Sequence, residues 1–420
     1  MKIALFTYEF FPKYGGISHT TTSLCKAFRD KDHILYVFNP YYKGNRIFDI
    51  LDKKNSTLKD VFSIIKNKEQ LRLLILSIRK IIGDKNISFS DRIKMVTFLF
   101  IPKYLVKFTK NITAVYSYFQ KYNFDLIFGT ATGGITLPLI FSLSRIFNKK
   151  VVSLSHGDDF LSKRFVSFRA SYIKNLDKII LSNKRMKFLI KRIHCLSEDK
   201  LATINRGIII KDYEVKESKQ ELRKQFNVRD NDFILISVGN HVPRKKFDLV
   251  IKVMAQIKKN QPTISIKYFL IGDGPSTPNL KEITKKLKLE KFVNFLGEKD
   301  YDIRNKYYKL SDLFLMPSIT EKGSIEGFGI SFLEANFFKL PVIGTNTGGI
   351  VEAIIDGETG LLVKPNDLND LLEKILILYH HPEKRKEMGE IGHNRVIKDY
   401  NWNKIVNDYI EVFKNLVKSQ

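Results

Sequence analysis

The densest chemistry in this chain lies between Pro317 and Glu334, read PSITEKGSIEGFGISFLE. The pattern predicts a strand end, a loop, and then Glu326-Gly327-Phe328-Gly329 opening a helix that carries Glu334. In an open α/β sheet, ligands bind beyond the carboxyl ends of the strands, where helix N-termini aim backbone N–H groups outward and favour phosphate. Gly327 and Gly329 let that backbone approach a ligand closely. Two carboxylates eight residues apart are separated by ~12 Å along a helix rising about 1.5 Å per residue. That is the span from a sugar to a ribose across a diphosphate. Carboxylates suit hydroxyl-rich ligands, because each accepts two hydrogen bonds from neighbouring hydroxyls. A glutamate pair taken alone is more often two solvated side chains flanking an amphipathic helix.

The elements that must position these residues alternate along the chain. Residues 3–8 read as a buried strand, followed by Pro12, the turn Gly15-Gly16, a helix from Ser18 to about Phe28 and a strand near 33–38. Strands at 125–128, 150–154 and 178–183 alternate with helical patterns near 135–147 and 184–193, which argues for a parallel sheet covered by helices. Between 41 and 120 the pattern is Lys/Arg-rich and helical, including 93–108 with Phe98, Phe100, Ile101, Tyr104, Leu105 and Phe108 among Lys94, Lys103 and Lys107. Apolar and basic residues interleaved in this way can lie on an anionic membrane or face a core with snorkelling lysines, and both readings stay open here.

A polar stretch from 211 to 232 precedes a fresh apolar start at Phe233, so a domain boundary is expected near 205–232. The second half then repeats the rhythm, with strands at 233–238, 264–271, 292–296, 312–316, 341–343 and 360–363. A final helical segment, about 383–418, breaks near Tyr400-Asn401-Trp402, and Trp402 reads as core.

At 420 residues, with 44% hydrophobic and 27% charged residues, the chain suits two folded domains rather than disorder. The net charge of +27 is lopsided: residues 1–200 hold 36 Lys+Arg against 15 Asp+Glu, and residues 201–420 hold 35 against 29. Such a field attracts polyanions, whether nucleic acid, anionic lipid or an anionic glycan, although a solvated lysine-rich surface has the same signature. Cys25 and Cys195 are far apart and in no metal-ligand spacing, so neither a disulfide framework nor a zinc site is suggested and a reducing cytoplasm fits. The apolar run before Glu9 is too short for a signal peptide, and no run of ~18 apolar residues exists to span a membrane.

Taken together, these segments resemble the retaining glycosyltransferases of family 4, also called glycosyl transferases group 1, which have the GT-B fold. Glu326 with Glu334 is similar to the family's E-x7-E signature, and Gly239 to Lys246 (GNHVPRKK) to its donor-phosphate loop. Gly272-Asp273-Gly274-Pro275 resembles its G-x-G-P turn, and Phe295-Leu296-Gly297 its base-binding strand end. Gly348-Gly349 and Asp356 to Val363 (DGETGLLV) complete a series that is dense from about 233 to 410. Before that, only Gly15-Gly16-Ile17 and His156-Gly157-Asp158 carry the likeness. Any one element is weak, and six in register are highly specific.

The resemblance implies an α/β fold of two facing Rossmann-like doubly wound domains with an interdomain cleft. Residues 1–205 would form the acceptor-side domain with its basic elaboration at 41–120, residues 206–385 the nucleotide-sugar domain, and 386–420 a helix crossing back to the first. It also implies transfer of a sugar from a UDP- or GDP-sugar to a glycan or lipid-linked acceptor, in bacterial capsule, lipopolysaccharide or exopolysaccharide assembly. By the same resemblance Glu334 binds ribose hydroxyls, Glu326 the donor sugar's hydroxyls, and Lys245 neutralises the diphosphate. Gly16 would approach that diphosphate and His156 face the reacting sugar, with Gly272, Leu296, Gly327, Phe328 and Gly329 lining the donor. No bound metal or other cofactor is implied. The loop departs from the family at Asn240, where arginine is common, and at Lys246, where glycine is; Arg244 offers a bidentate fork that can compensate.

The expected setting is cytoplasmic, with the basic first half attached peripherally to the inner face of the cell membrane. Two other readings remain in view. A sugar-nucleotide epimerase or hydrolase of the same fold is disfavoured by the Glu326/Glu334 spacing with the Lys245 loop. A nucleic-acid-binding protein lacks any helix-turn-helix, RNA-recognition or zinc-finger pattern, so no nucleic acid is expected.

Overall fold

Strand interiors such as Ile3-Ala4-Leu5-Phe6 and Phe233-Ile234-Leu235-Ile236-Ser237-Val238 have no polar alternation, so neither face of them can be left in water. The computed structural model, which describes residues 1–7, 16–38, 46–49, 59–60, 67–99, 102–130, 136–156, 166–321 and 324–419, buries both segments inside parallel sheets. The chain divides into two compact units, Met1–Asn205 with Ile405–Gln420, and Arg206–Lys404.

The sheet of the first unit has the order β4-β3-β2-β1-β5-β6-β7-β8. Its strands are β1 (Lys2–Phe6), β2 (Ile34–Phe38), β3 (Arg46–Asp49), β4 (Lys59–Asp60), β5 (Leu126–Gly129), β6 (Lys150–Ser155), β7 (Lys178–Leu181) and β8 (Leu201–Thr203). All pairings are parallel except those of β3 and β4, which are antiparallel. These two strands correct the expectation of a helical stretch throughout 41–120. The outer edge of β2 offers unpaired N–H and C=O groups, and a short antiparallel addition satisfies them. The rest of that stretch is helical, as Asn67–Gly83, Phe89–Leu99 and Pro102–Lys121. The run predicted at 93–108 is thus shared between two helices, the second opening on Pro102, where a missing N–H costs nothing. Of the residues that suggested a membrane-facing stripe there, Phe108 is fully buried, while Phe100 and Ile101 lie outside the described residues. Helix Trp402–Lys418 packs its aromatic face into this unit: Phe413 stacks on Phe28 at 5.6 Å and meets the edge of Phe128 at 5.0 Å.

In the second unit six strands pair in parallel in the order β11-β10-β9-β12-β13-β14. They are β9 (Phe233–Val238), β10 (Ile266–Ile271), β11 (Val293–Gly297), β12 (Leu313–Met316), β13 (Val342–Thr345) and β14 (Gly360–Val363). The chain starts at the centre with β9, moves out to β11, then returns to the other side of β9 with β12. That reversal is a topological switch point, where the connections after β9 and β12 leave the sheet in opposite directions and open a crevice. The amino ends of the same two strands are tied down by Asp312, whose carboxylate accepts from Lys219 Nζ (2.7 Å), Arg223 Nη2 (2.6 Å) and the Ile234 amide (2.7 Å). One end of the β9–β12 pair is therefore fixed and the other is free for chemistry. Trp402 is fully buried, as expected, and its amide donates to the Ile208 carbonyl at 3.1 Å.

Candidate functional site

After β9 the chain turns through Gly239-Asn240-His241-Val242 into a single 3-10 turn, Pro243–Lys245, and enters helix Phe247–Asn260 through Lys246 at φ +55°. The turn directs Arg244 and Lys245 toward the segment after β12. Arg244 Nη1 lies 2.7 Å and Lys245 Nζ 2.6 Å from the same oxygen, Oε2 of Glu326. The Ile319 amide donates to the Arg244 carbonyl at 2.8 Å, so the two loops are joined by backbone as well. Of the sequence-derived residues, Arg244, Lys245 and Glu326 are the ones whose side chains the fold brings into direct contact.

These groups are largely removed from water, with side-chain exposures of 10% for Lys245, 12% for Glu326 and 21% for Arg244. Burial pushes the Glu326 carboxyl up, but the Lys245 ammonium and Arg244 guanidinium outweigh it and hold the group at about 2. Burial lowers Lys245, and the carboxylate of Glu326 opposes that. At neutral pH the trio is two cations on one anion, with surplus positive charge held at the mouth of the switch point.

The backbone around Glu326 is set by neighbouring strand ends. The Gly349 amide, after β13, donates to the Glu326 carbonyl at 2.9 Å. Gly348 has φ +58°, and a Cβ there would sit 2.7 Å from that carbonyl oxygen, so glycine is required for the approach. Gly272, at the end of β10, has φ +125°, and its Cβ would fall 2.1 Å from the Gly239 oxygen. The loops after β9 and β10 can touch only because no side chain intervenes. The His241 amide donates to Asp273 O (2.9 Å) and Gly272 N to Gly297 O (2.9 Å), extending the lacing to the end of β11.

Glu334 sits differently. Helix Ile330–Phe337 begins after Gly329, so Glu326 lies in the loop and only Glu334 is on the helix. The ~12 Å helical span expected from an eight-residue spacing therefore does not apply; the helix accounts for about 6 Å of rise from Ile330 to Glu334. The loop conformation at Gly327 and Gly329 decides the remainder. Glu334 is 3% exposed, accepting from Tyr213 OH at Oε1 (2.9 Å) and Tyr308 OH at Oε2 (2.9 Å), with Arg304 Nη2 3.2 Å from Oε1. Burial, and then the Glu334 charge, raise both tyrosines well above their ordinary range. Burial opposes the charge on Arg304, yet Glu334 outweighs it and raises that group.

The remaining sequence-derived residues fall as follows. Asn240 is exposed in the loop after β9, Leu296 is half-buried in β11, and Gly327 is buried. The Phe328 ring is 1% exposed and packs 5.5 Å from Tyr400, so its backbone is the part a ligand can meet. Gly16 is the first residue of helix Gly16–Arg29 in the first unit. His156 follows β6 in that unit, and its Nε2 bonds the Thr130 carbonyl beyond β5. Gly15 and Gly157-Asp158 lie outside the described residues. Sequence reasoning missed Tyr213, Arg304 and Tyr308 around Glu334, and Tyr213 stands 121 positions away from it, beyond any local pattern.

Among the described residues no group of three or more His, Cys, Asp or Glu is placed to hold a metal, and no helix is long and apolar enough to cross a membrane.

The fold is that of GT-B glycosyltransferases. A crystal structure of the Anabaena protein HepE in complex with UDP and glucose superimposes with a TM-score of 0.73 over 99% of this chain and 100% of that one, at 18% identity. Residues 218–395 match the family described as glycosyl transferases group 1. An uncharacterized glycosyltransferase of Methanocaldococcus jannaschii is 31% identical over 269 residues, 63% of this chain and 68% of that protein. The N-acetyl-alpha-D-glucosaminyl L-malate synthase of Bacillus anthracis is 30% identical over 203 residues, 48% of this chain; the matched stretch spans only 51% of that relative. The chain belongs to the glycosyl transferases group 1 family.

Proposed function

We propose that the protein transfers a sugar from a UDP- or GDP-sugar to a hydroxyl of a glycan or lipid-linked acceptor, with retention of anomeric configuration. The observation that carries this reading is the convergence of Arg244 and Lys245 on one oxygen of Glu326 at the β9/β12 switch point. A pyrophosphate entering there meets two fixed cations, and Glu326 then offers its oxygens to the sugar hydroxyls. As the glycosidic bond breaks, negative charge grows on the departing diphosphate, which preorganised cations stabilise more than they stabilise the ground state. The acceptor hydroxyl attacks on the face the diphosphate leaves, a leaving-phosphate oxygen takes its proton, and no protein nucleophile is consumed. Arg244 supplies the second charge that Asn240 lacks. The reading needs no resident metal, because these side chains supply the positive charge. Glu334 is assigned the ribose hydroxyls, and His156 and Gly16 keep the roles the family resemblance gives them.

A role in bacterial envelope polysaccharide assembly, with the first unit on an anionic membrane surface, completes the proposal. Exposed Ile82, Phe89 and Ile93 support the membrane part, and Arg92 of helix Phe89–Leu99 donates to the Ile82 carbonyl at 2.6 Å, which holds that helix beside Ile82. These residues lie in a half carrying a large excess of Lys and Arg. The test of the reaction is product analysis with UDP- and GDP-sugars, with and without a lipid-linked or glycan acceptor, assigning the anomeric configuration by NMR. An acceptor-dependent glycoside of retained configuration is expected. Free sugar or an epimerised nucleotide formed equally without acceptor overturns it.

A further inference from the structure

Glu334 accepts hydrogen bonds, but a nucleoside also presents acceptors that only a donor can meet. We infer that Arg304, braced by Tyr301, binds the nucleoside end of the donor and sets which base is taken; this rests on the nucleotide-sugar reading above. Helix Tyr301–Leu310 follows the carboxyl end of β11, the ligand side of an open parallel sheet. The Arg304 guanidinium lies 4.4 Å over the Tyr301 ring, which fixes its plane. Its Nη2 is 3.2 Å from Glu334 Oε1, close enough for ion pairing. Yet Arg304 Nε and Nη2 are buried and make no aligned hydrogen bond among the described residues.

Tyr213 and Tyr308 already donate to the two oxygens of Glu334. With Nη2 beside Glu334, Nε is the donor that lacks an acceptor among the described residues, and a bound ligand can supply one. A guanidinium only donates, so the group it meets carries carbonyl or ring-nitrogen acceptors. Uracil presents carbonyl oxygens, and guanine presents O6 beside N7; adenine sets an amino donor beside N7 and leaves the fork half-matched. Arg304 and Glu334 side by side form a donor–acceptor pair for base and ribose, as Lys245 and Glu326 form one for diphosphate and sugar.

The experiment is calorimetric titration of the full chain with UDP, GDP, ADP and inorganic pyrophosphate, comparing wild type with Arg304→Lys, Tyr301→Ala and Lys245→Ala. Arg304→Lys keeps the charge beside Glu334 while losing the fork, and thermal unfolding checks that it folds. Expected is about a tenfold loss of UDP or GDP affinity, reduced discrimination against ADP, and pyrophosphate affinity within about twofold of wild type. Tyr301→Ala should follow in the same direction, and Lys245→Ala should lose pyrophosphate instead. Unchanged UDP and GDP affinity in Arg304→Lys, or an equal loss of pyrophosphate, overturns the inference. Failure of the wild type to bind any nucleoside diphosphate would instead sink the nucleotide-sugar reading on which it rests.

Discussion

In the second unit three largely buried carboxylates each hold cations close: Arg244 and Lys245 on Glu326, Arg304 on Glu334, Lys219 and Arg223 on Asp312. In the first 200 residues 36 Lys+Arg face only 15 Asp+Glu, so cations outnumber carboxylates more than two to one, although Arg145 on Asp84 at 2.7 Å is a pair of the same kind. Apolar exposure divides the same way. Phe89 is 72% exposed, Ile82 53% and Ile93 51% in the first unit, whereas the most exposed large apolar residues of the second reach only 38%. Paired, buried charge gives fixed positions and suits recognition of a small ligand; surplus positive charge together with exposed apolar groups suits a large anionic surface.

The comparison breaks first at Glu326. Glu326→Gln is expected to reduce transfer by about a thousandfold while leaving nucleoside diphosphate affinity nearly intact, measured by turnover and calorimetry. Unchanged turnover would make that carboxylate incidental. Acid provides the next largest test. The folded Glu326 carboxyl sits at about 2 against an ordinary 4.5, a depressed value, so its stabilisation is present above 4.5 and lost as pH falls toward 2. The loss is on the order of 3 kcal/mol, and urea unfolding of Glu326→Gln between pH 5 and about 2 should lack that component. Lys245→Ala should slow transfer about a hundredfold, near 3 kcal/mol of transition-state stabilisation. A fall of less than tenfold would place the lysine away from the phosphate.

The smallest effect concerns the first unit. Phe89→Ser with Ile93→Ser should weaken binding to vesicles rich in anionic lipid about tenfold at low salt, with melting unchanged. No binding of the wild type to such vesicles would remove the membrane half of the comparison.

Much of this was legible from the letters, for reasons that differ by region. The six apolar strand runs of the second unit are short, continuous and punctuated by glycine, and every one of them pairs as a parallel strand. Lys245 and Glu326 are assigned to one ligand by the family resemblance, and both stand in loops at strand ends, where a parallel sheet gathers them. The antiparallel β3 and β4 were not legible: each is a few residues long in a Lys-rich stretch, and edge pairing rather than periodicity holds them. Nor was the surrounding of Glu334. Tyr213, Arg304 and Tyr308 reach it from two separate segments, and hydrogen bonding across such distances leaves no spacing to read.

The most direct test of the proposed pyrophosphate grip is thermal unfolding of the wild type and Lys245→Ala with UDP, GDP, ADP and CMP at saturating concentration. A ligand at a hundred times its Kd stabilises by about 2.7 kcal/mol, so one nucleoside diphosphate should raise the wild-type midpoint clearly and the variant's far less. No shift with any nucleotide, or the same shift in both proteins, would contradict the placement of activated-sugar pyrophosphate at Arg244, Lys245 and Glu326.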